Sequence, residues 1–398
     1  MISVAEALAR CLALTRPLPT EMVDLAAAAG RVLARPVVAG RDQPPFAAAA
    51  MDGYAVTGPD ATPGARLQVV GEAAAGHMWQ GALAPGQALR IFTGAPVPKG
   101  AGRIVIQEDV TCAGTTITLC ANLDNGPYIR PAGGDFKAGD RIAAPRRLTP
   151  ADVALAAAMN HPHVTVVRPP RVALIATGDE LVEPGERPRA DQIVASVTYG
   201  LKALLEAEGA RARLLPIARD TPESLQQQLG LAQGADMIVT VGGASVGNHD
   251  LVAGAAETLG ITRSFHGVAM RPGKPLMAGR LGAAVLLGLP GNPVSAMVCG
   301  HIFLVPVVRA FLGLPPGRRR RVHARLAVAL PRNGPREHYM RAQLLPGPDM
   351  PRVYPLDSQD SALLTRLCSA DALLIREPGA GAAPAGTVVE ILPLSPFD

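Results

Sequence analysis

The sequence predicts a multidomain protein of the α/β plus β class. Its 398 residues exceed a typical domain of about 100–200 residues, which predicts two to four domains. Strand, loop and helix patterns alternate from residue 169 to 317, which predicts a largely parallel sheet covered by helices. Short alternating apolar runs from 42 to 137 predict a β-rich domain. With 48% hydrophobic and 18% charged residues, the composition is that of a folded globular protein.

Residues 1–41 and 138–168 are predicted to form a helical, linking domain. Apolar residues at helical spacing predict one helix in AEALARCLAL and a second in VDLAAAAGRVLA, where Gly30 could break the pattern. A further helix is predicted at 149–160, with Thr149 as N-cap and Pro150 at the first helical position.

The α/β domain, residues 169–317, is predicted from three repeats of a strand, a turn and a helix. The strands correspond to RVALIAT, DMIVTVGG and AAVLLGL, continuous apolar runs typical of buried parallel strands. The helix after the first strand is TYGLKALLEAEG, and the helix after the third has Asn292 as N-cap and Pro293 at its first position. Residues 318–398 follow a Pro-, Gly- and Arg-rich run and are predicted to form a small β domain.

Composition disfavours nucleic-acid binding and a membrane span. The net charge is +5, but the run Arg318–Arg321 supplies four of these charges, and aromatic residues make up only 3% of the chain. A distributed basic surface that stacks on bases is therefore not expected. The apolar stretch Val294–Val308 contains His301 and Pro306 and is shorter than the roughly 17–25 residues of a bilayer span, which predicts a buried helix.

The cysteines and the first residues indicate the compartment. Five cysteines, an odd number without a CxxC pair, favour neither a disulfide framework nor a structural zinc site. Residues 1–10 lack the basic and apolar regions of a signal peptide. We therefore expect a cytoplasmic protein.

Candidate ligand sites lie just after the strands, because ligands of open α/β sheets bind beyond the carboxyl ends of the strands. The first such turn contains Thr177, Gly178, Asp179 and Glu180. Its two carboxylates are the kind of ligand that Mg²⁺ prefers. Taken alone, they are equally typical of a helix N-terminus.

The second and third turns offer anion sites. Gly242, Gly243 and Ser245 belong to a glycine-rich turn that would let the backbone approach a phosphate, and Asp250 follows. Alone, this pattern is also typical of a plain tight turn. The third turn places Pro290, Asn292 and Ser295 at a helix N-terminus, which favours a bound anion.

A basic segment, MRPGKP at 270–275, completes the candidate crevice. Arg271 and Lys274 are two cations on a stiff Pro-Gly-Pro frame, although either alone would be typical of solvated side chains. Acidic and basic groups at the strand ends of one domain together suit a Mg²⁺-bound phosphoanhydride beside a further oxyanion. The histidines show no metal-ligand spacing.

Six segments, in this order along most of the chain, resemble one known family, the molybdopterin molybdenumtransferases, which include MoeA and the E domain of gephyrin. The segments are PPFAAAAMDGYAV, IFTGAPVPKGAGRIVIQED, ALIATGDEL, IVTVGGASVGNHD, MRPGKP and LPGNPVSA. The first two lie in a different predicted domain from the other four, so the resemblance does not depend on one motif.

The resemblance implies an elongated four-domain chain that forms a homodimer, with an α/β domain like that of the molybdopterin adenylyltransferases. It implies an active site between that domain and the partner subunit's β-rich domain. The implied reaction takes adenylylated molybdopterin and molybdate, with Mg²⁺, and yields molybdenum cofactor and AMP. Other proteins of cofactor biosynthesis, or acceptor enzymes, would be further partners.

The resemblance also assigns residues. Those matching positions tied to activity are Asp52, Thr93, Asp135, Glu180 and Asp250. Of these, Glu180 and Asp250 would hold Mg²⁺. The nucleotide phosphates would bind at Gly242, Gly243 and Ser245, and molybdate or the pterin phosphate at Arg271, Lys274, Ser295 and Arg341.

Several positions depart from the family pattern. Arg271 stands where lysine is usual, which exchanges a compact ammonium for a planar fork. Ala47–Ala49 replace polar residues, Asn248 and His249 replace an acidic residue and an aromatic, and Ala195 and Val197 replace an aspartate and an asparagine. The alternative function is therefore a non-catalytic paralogue that stores or delivers the cofactor, but Glu180 and Asp250 favour the enzyme.

Overall fold

The computed structural model describes residues 1–243, 260–315 and 321–394. The chain divides into two compact units. The first unit contains Met1–Glu21, Gly30–Ala34 and Thr165–Asp398, and the second contains Met22–Ala29 and Arg35–Val164. The four predicted domain boundaries remain predictions, because a division into two units does not locate them.

The second unit is built on a six-stranded sheet, which confirms the predicted β-rich segment. In spatial order its strands are Arg103–Ile106, Gly53–Val56, Gln87–Ile91, Arg66–Ala73, Thr116–Leu119 and Val110–Ala113. Both faces are covered, because alternate residues enter different clusters: Ala55 and Leu89 enter one, and Tyr54 and Ala88 the other. Short strand pairs join Ala48–Ala49 to Ile129–Arg130 and Val37–Val38 to Arg141–Ile142.

The predicted helix after Thr149 is confirmed at Pro150–Ala158. Thr149 accepts a hydrogen bond from the Asp152 backbone, and the Asp152 carboxylate accepts from the Thr149 backbone, which forms a capping box. Pro150 occupies the first turn, where its missing N–H costs no hydrogen bond.

The predicted helix in VDLAAAAGRVLA is wrong. The chain forms the strand Thr20–Asp24, a 3-10 turn at Leu25–Ala27 and the strand Val32–Leu33. The Leu25 N–H donates to the Pro162 carbonyl, and the Ala34 N–H donates to the Thr165 carbonyl. This pairing with the strand His163–Val167 outweighs the helix propensity of the alanines, and Gly30, with φ of +76°, turns the chain between the two strands.

The first unit contains the predicted α/β sheet. Its strands, in spatial order, are Arg211–Leu214, Arg171–Ala176, Met237–Val241, Ala284–Leu289, Met277–Leu281 and Ile261–His266. The first four run parallel, and the last two are antiparallel additions. Its helices are Val4–Ala13, Val197–Ala207, Pro222–Leu231, Pro293–Cys299 and Val305–Phe311, and the short strands Leu181–Val182 and Ile193–Val194 pair beside it.

The helical segment Pro293–Phe311 lies in the core of this unit. It is long and apolar enough to span a membrane by length and composition, but 78% of its most apolar window is buried inside the structure. A π-helical turn at Gly300–Leu304 joins its two α-helical parts. Phe303 and Val307 pack in the same apolar cluster as the first helix, which confirms the predicted buried helix.

The predicted C-terminal β domain is also confirmed. Its strands, in spatial order, are Glu337–Leu345, Arg352–Pro355, Val322–Leu326, Val388–Pro393 and Ala372–Arg376, and the last pairs back with the first. This pairing closes a small barrel. The helix Leu364–Cys368 follows the second strand, and Met270–Arg271 adds to the barrel in parallel beside Glu337 and His338.

Candidate functional site

The turn after the strand Arg171–Ala176 presents Glu180. Gly178 has φ of +152°, and a Cβ atom built there would lie 2.5 Å from Oε2 of Glu180. Glycine is therefore required for the Glu180 carboxylate to lie against its own backbone turn. The Thr177 N–H donates to the Val241 carbonyl at 2.9 Å, which ties this turn to the end of the neighbouring strand.

Arg219 and Asp220 support the same turn and were missed by sequence reasoning. Nη1 of Arg219 lies within hydrogen-bond distance of the carbonyls of Asp179 and Leu181, at 3.2 and 3.0 Å. The Asp220 N–H donates to Oδ1 of Asp179 at 3.0 Å. Both residues follow the edge strand Arg211–Leu214, so their position after a parallel strand was the available signal.

The glycine-rich turn approaches the first turn closely. Gly242 has φ of +95°, and a Cβ atom there would lie 2.5 Å from the Thr177 carbonyl oxygen. A Cβ on Gly291 would lie 3.5 Å from Cα of Gly242, so the three predicted turns converge. Ser245 and Asp250, which complete the predicted phosphate and metal sites, lie outside the described residues, as do Asn248 and His249.

These turns surround a cavity of about 640 Å³, here called the strand-end cavity. Two carboxylates, Glu180 and Asp220, lie on its wall, and Ala195, Val197 and Pro275 contribute apolar surface. The other predicted residues that line it are Thr177, Gly178, Gly242, Gly243, Pro290 and Asn292. Its size and its few polar groups are those of a small-molecule site. Asp179 does not line it, and its carboxylate instead accepts from Asp220.

The third turn is tied to the loop that follows the barrel strand Arg352–Pro355. Nδ2 of Asn292 donates to Oγ of Ser361 at 3.1 Å, and the Val294 N–H donates to the Ser361 carbonyl at 3.0 Å. Asn292 is the N-cap residue as predicted, but its side chain bonds this loop and not the helix. Ser295 is buried in the first turn of the helix, 4% exposed.

Arg341 is bound to the same loop. Its side chain is fully buried, and its Nη2 donates to the Asp360 carbonyl at 3.1 Å. Within the part of the chain that the structure describes, Nε and Nη1 of Arg341 have no hydrogen-bond partner. Buried guanidinium groups without a carboxylate are costly, so this side chain is a strong candidate for an anion ligand.

We call a group of five neighbouring side chains the basic cluster: Arg271, Arg336, His338, Arg341 and Arg376. The charge of Arg271 acts on both Arg341 and His338, whereas those of Arg336 and Arg376 act on His338. Burial lowers the pKa of Arg341, and the charge of Arg271 lowers it further, while Asp360 opposes the shift. Burial, with the charge of Arg271 and the other three arginines, lowers the pKa of His338 to about 4. Nε2 of His338 is also buried without a partner among the described residues. Several cations close to the buried side chains of Arg341 and His338 favour a bound oxyanion.

The basic cluster is not part of the strand-end cavity wall. Arg271 and Lys274, both exposed, are on the segment that supplies Pro275 to the cavity, but their own side chains do not line it. Neither do Ser295 and Arg341. The structure thus brings the predicted acidic and glycine-rich residues together around the cavity. The predicted basic residues lie beside it: Pro275, which lines the cavity, follows Lys274, and Asn292, which also lines it, bonds the loop that binds Arg341.

In the second unit, Asp52 and Thr93 form a pair. Oδ1 of Asp52 accepts from the Thr93 N–H and from its hydroxyl, both at 2.7 Å. The backbone bond, then the hydroxyl bond, and then the charge of Arg90 lower the pKa of the exposed Asp52 carboxyl. Arg90 lies over the rings of Tyr54 and Phe92, 5.0 and 4.8 Å from their centroids. Asp135 is exposed, and within the described chain its side chain makes no hydrogen bond to this pair.

Comparison with known proteins identifies the family of the chain. Residues 2–160 match the family described as MoeA N-terminal region (domain I and II), residues 173–310 match a probable molybdopterin binding domain, and residues 323–394 match MoeA C-terminal region (domain IV). The fold and these three matches define a multidomain protein of the MoeA type. The chain belongs to the molybdopterin molybdenumtransferase family.

Two curated relatives and one solved structure illustrate the similarity. A molybdopterin molybdenumtransferase of Nostoc sp. is 39% identical over 75% of this chain and 71% of its own length. One of Synechococcus elongatus is 33% identical over 94% of both chains. A crystal structure of the molybdopterin biosynthesis MoeA protein from Pyrococcus horikosii has a TM-score of 0.84 and 28% identity, and it covers 99% of both chains.

Proposed function

We propose that this chain inserts molybdate into adenylylated molybdopterin and releases AMP, as a step of molybdenum cofactor biosynthesis. Family membership supports the broader role in cofactor biosynthesis. The observation that carries the specific reaction is the combination of the acidic strand-end cavity with the adjacent basic cluster, in which Nε and Nη1 of the buried Arg341 have no hydrogen-bond partner among the described residues. The strand-end cavity suits a phosphoanhydride, and the basic cluster suits an oxyanion.

The strand-end cavity would hold the adenylylated substrate. The backbones of Gly242 and Gly243 can approach its phosphates because neither residue has a side chain, and Pro290 and Asn292 close the opposite wall. The apolar residues around Ala195 would exclude water from the phosphoanhydride. The substrate would therefore be held across the carboxyl ends of the parallel strands.

The donor groups of the cavity fit Mg²⁺. Glu180 and Asp220 present carboxylate oxygens on one wall, and hard cations prefer such ligands. Among the described residues, no group of three or more His, Cys, Asp or Glu side chains is arranged to hold a metal. Substrate phosphate and Asp250 would complete the ligand set, as is usual for Mg²⁺. When bound, the ion would neutralise charge on the phosphoanhydride.

The basic cluster would receive molybdate. Arg341 has two guanidinium nitrogens free among the described residues, and Arg271 lies close enough to lower its pKa. An oxyanion would supply negative charge to the unpaired nitrogens of Arg341, and Lys274 follows Arg271 on the segment that pairs with Glu337 and His338. This arrangement would hold molybdate beside the bound pterin.

The active enzyme would be a cytoplasmic homodimer. Asp52 and Thr93 belong to the second unit and are not among the residues that line the strand-end cavity. We infer that they complete the strand-end cavity of the partner subunit, which makes each active site a shared one. Partner enzymes of cofactor synthesis and delivery would bind this dimer.

Supplying the purified protein with adenylylated molybdopterin, Mg²⁺ and molybdate tests the proposal. We expect stoichiometric or catalytic AMP release that requires both Mg²⁺ and molybdate. Tight binding of the pterin without AMP release would instead establish a storage or delivery protein.

A further inference from the structure

A second polar cavity lies at the amino ends of two parallel strands. It has a volume of about 330 Å³ and is lined by Arg171, Arg211 and Arg213, together with Val172, Ala212, Gln233 and Gly234. We call it the arginine recess. It shares no lining residue with the strand-end cavity. Val172 lines one cavity and Ala176 the other, so about 13 Å of strand separates them.

Strand register places the three arginines on one face of the sheet. Arg171 pairs directly with Arg211 in the parallel ladder, and Ala173 pairs with Arg213. Side chains at paired positions, and at positions two residues apart, point to the same side. Like charges directly opposite each other destabilise a sheet. Arg171, Arg211 and Arg213 are exposed, so a ligand can reach their positive charges from solvent.

No carboxylate of the lining residues offsets this charge. The nearby Asp236 is already engaged, because its oxygens accept from both terminal nitrogens of Arg168, at 3.0 and 2.8 Å, and from the Arg171 backbone at 2.7 Å. Arg213 donates to the carbonyls of Leu231 and Gln233 and so closes the end of the helix Pro222–Leu231. In the described part of the chain, the guanidinium groups of Arg171 and Arg211 make no hydrogen bond or ion pair.

We propose that the arginine recess binds a phosphate-bearing small molecule of about the size of a mononucleotide. Two planar guanidinium forks on one face suit the charge and geometry of a phosphate or pyrophosphate group, which could bridge Arg171 and Arg211. The volume is that of a small-ligand pocket, and the charged lining disfavours an apolar ligand. The site is independent of the proposed reaction, because it lies at the opposite end of the strand Arg171–Ala176.

Calorimetric titration of the full chain tests this site. The probes are inorganic phosphate, pyrophosphate and AMP, with adenosine as the uncharged control. We expect the dissociation constant of the arginine recess for pyrophosphate to be the same in wild type and in the Glu180→Gln variant, since Glu180 lines the strand-end cavity and not the recess. In Arg171→Ala/Arg211→Ala, the dissociation constant of this site should rise tenfold or more.

Two further variants control for charge and for folding. Arg66→Ala removes an exposed arginine from the start of a strand in the second unit and should leave pyrophosphate binding unchanged. Arg171→Lys/Arg211→Lys should retain part of the affinity. Pyrophosphate should also raise the Tm of wild type more than that of the double alanine variant, which keeps the strand-end cavity intact. Equal affinities in wild type and the double alanine variant, or binding that disappears at physiological salt, would overturn the proposal.

Discussion

Arg219 donates from Nη1 to the carbonyl oxygen of Leu181 at 3.0 Å and thereby fixes the end of the turn that carries Glu180. The same nitrogen lies 3.2 Å from the Asp179 carbonyl. One side chain on the neighbouring strand end thus supports the backbone on both sides of the Glu180 carboxylate. Arg219 acts on the cavity through this turn, as a positioning residue.

Replacing Arg219 by alanine should lower turnover more than stability. If positioning by Arg219 stabilises the transition state by about 1.4 kcal/mol, its loss lowers kcat about tenfold. Because Arg219 is exposed, we expect a small change in Tm. Steady-state AMP release and thermal unfolding measure the two effects, with the exposed Arg187→Ala as matched control. An unchanged kcat in Arg219→Ala would show that the turn holds its shape unaided.

Glu180→Gln and Asp220→Asn should each raise the Mg²⁺ concentration needed for AMP release. The changes keep the size of each side chain but remove the negative charge that attracts the cation. Asp250→Asn is expected to act in the same way. Titration of activity with Mg²⁺ measures the effect, and Glu186→Gln, an exposed carboxylate outside the cavity, is the control. Wild-type Mg²⁺ dependence in both cavity variants would rule out this metal site.

Mixing Asp52→Ala subunits with Glu180→Ala subunits should restore activity. Each variant alone should be inactive, because every site then lacks one group. After random exchange, half of the dimers are mixed and each has one intact site, so about a quarter of wild-type activity should return. Subunit exchange must be verified by mass spectrometry of differently labelled chains. A mixture that exchanges fully but stays inactive would show that Asp52 and Glu180 act within one chain.

Ala195→Asp combined with Val197→Asn should strengthen binding of adenylylated molybdopterin. Ala195 is 5% exposed and lines the strand-end cavity with Glu180, so a carboxylate there would meet the substrate. One charge-assisted hydrogen bond should improve affinity by roughly ten- to a hundredfold. Molybdate affinity should not change, since the basic cluster is untouched. Titration of both ligands decides the matter, and unaltered pterin affinity would show that position 195 does not contact it.

Stability should fall on mild acidification because of His338. Its pKa is about 4 in the folded chain, against 6.5 for an ordinary histidine. As pH falls below 6.5 the unfolded chain binds the proton first, so the free energy of unfolding decreases, by on the order of 3 kcal/mol once pH reaches 4. Above pH 6.5 the ring is neutral in both states and contributes no pH dependence.

Urea denaturation at pH 7.5 and pH 5.0 measures this loss. His338→Gln should remove part of the acid sensitivity, whereas His323→Gln, an exposed residue on another barrel strand, should not. Added molybdate should reduce the loss in wild type, because an anion in the basic cluster offsets the charge of a protonated His338. Identical pH sensitivity of wild type and His338→Gln would assign the effect to other groups.

Short sequence patterns were sufficient to predict much of the fold and the residues on one wall of the strand-end cavity. The apolar runs ending at Ala176, Val241 and Leu289 identify parallel strands, and the glycines and carboxylates after them identify a ligand edge. Thr149 and Asn292 were located at helix starts from residue type and the proline that follows. These features depend on a few neighbouring residues, so the sequence displays them directly.

Other features depend on distant pairing. Asp220 reaches the cavity because its strand lies beside Arg171–Ala176, and Arg341 lies on the strand that closes the barrel by pairing with Ala372–Arg376. The alanine-rich segment after Asp24 forms a 3-10 turn because the flanking residues pair with a strand more than 120 residues away. Helix propensity is a weak preference that such pairing overrides.

An anion bound at Arg341, whose Nε and Nη1 have no partner among the described residues, would also link ligand supply to the lifetime of the protein. A ligand that binds only the native state stabilises it in proportion to the logarithm of its concentration. An anion that neutralises Arg341 would therefore reduce the fraction of chains open to proteolysis. Cells short of this anion would degrade the protein faster, and cells well supplied would accumulate it without any change in transcription.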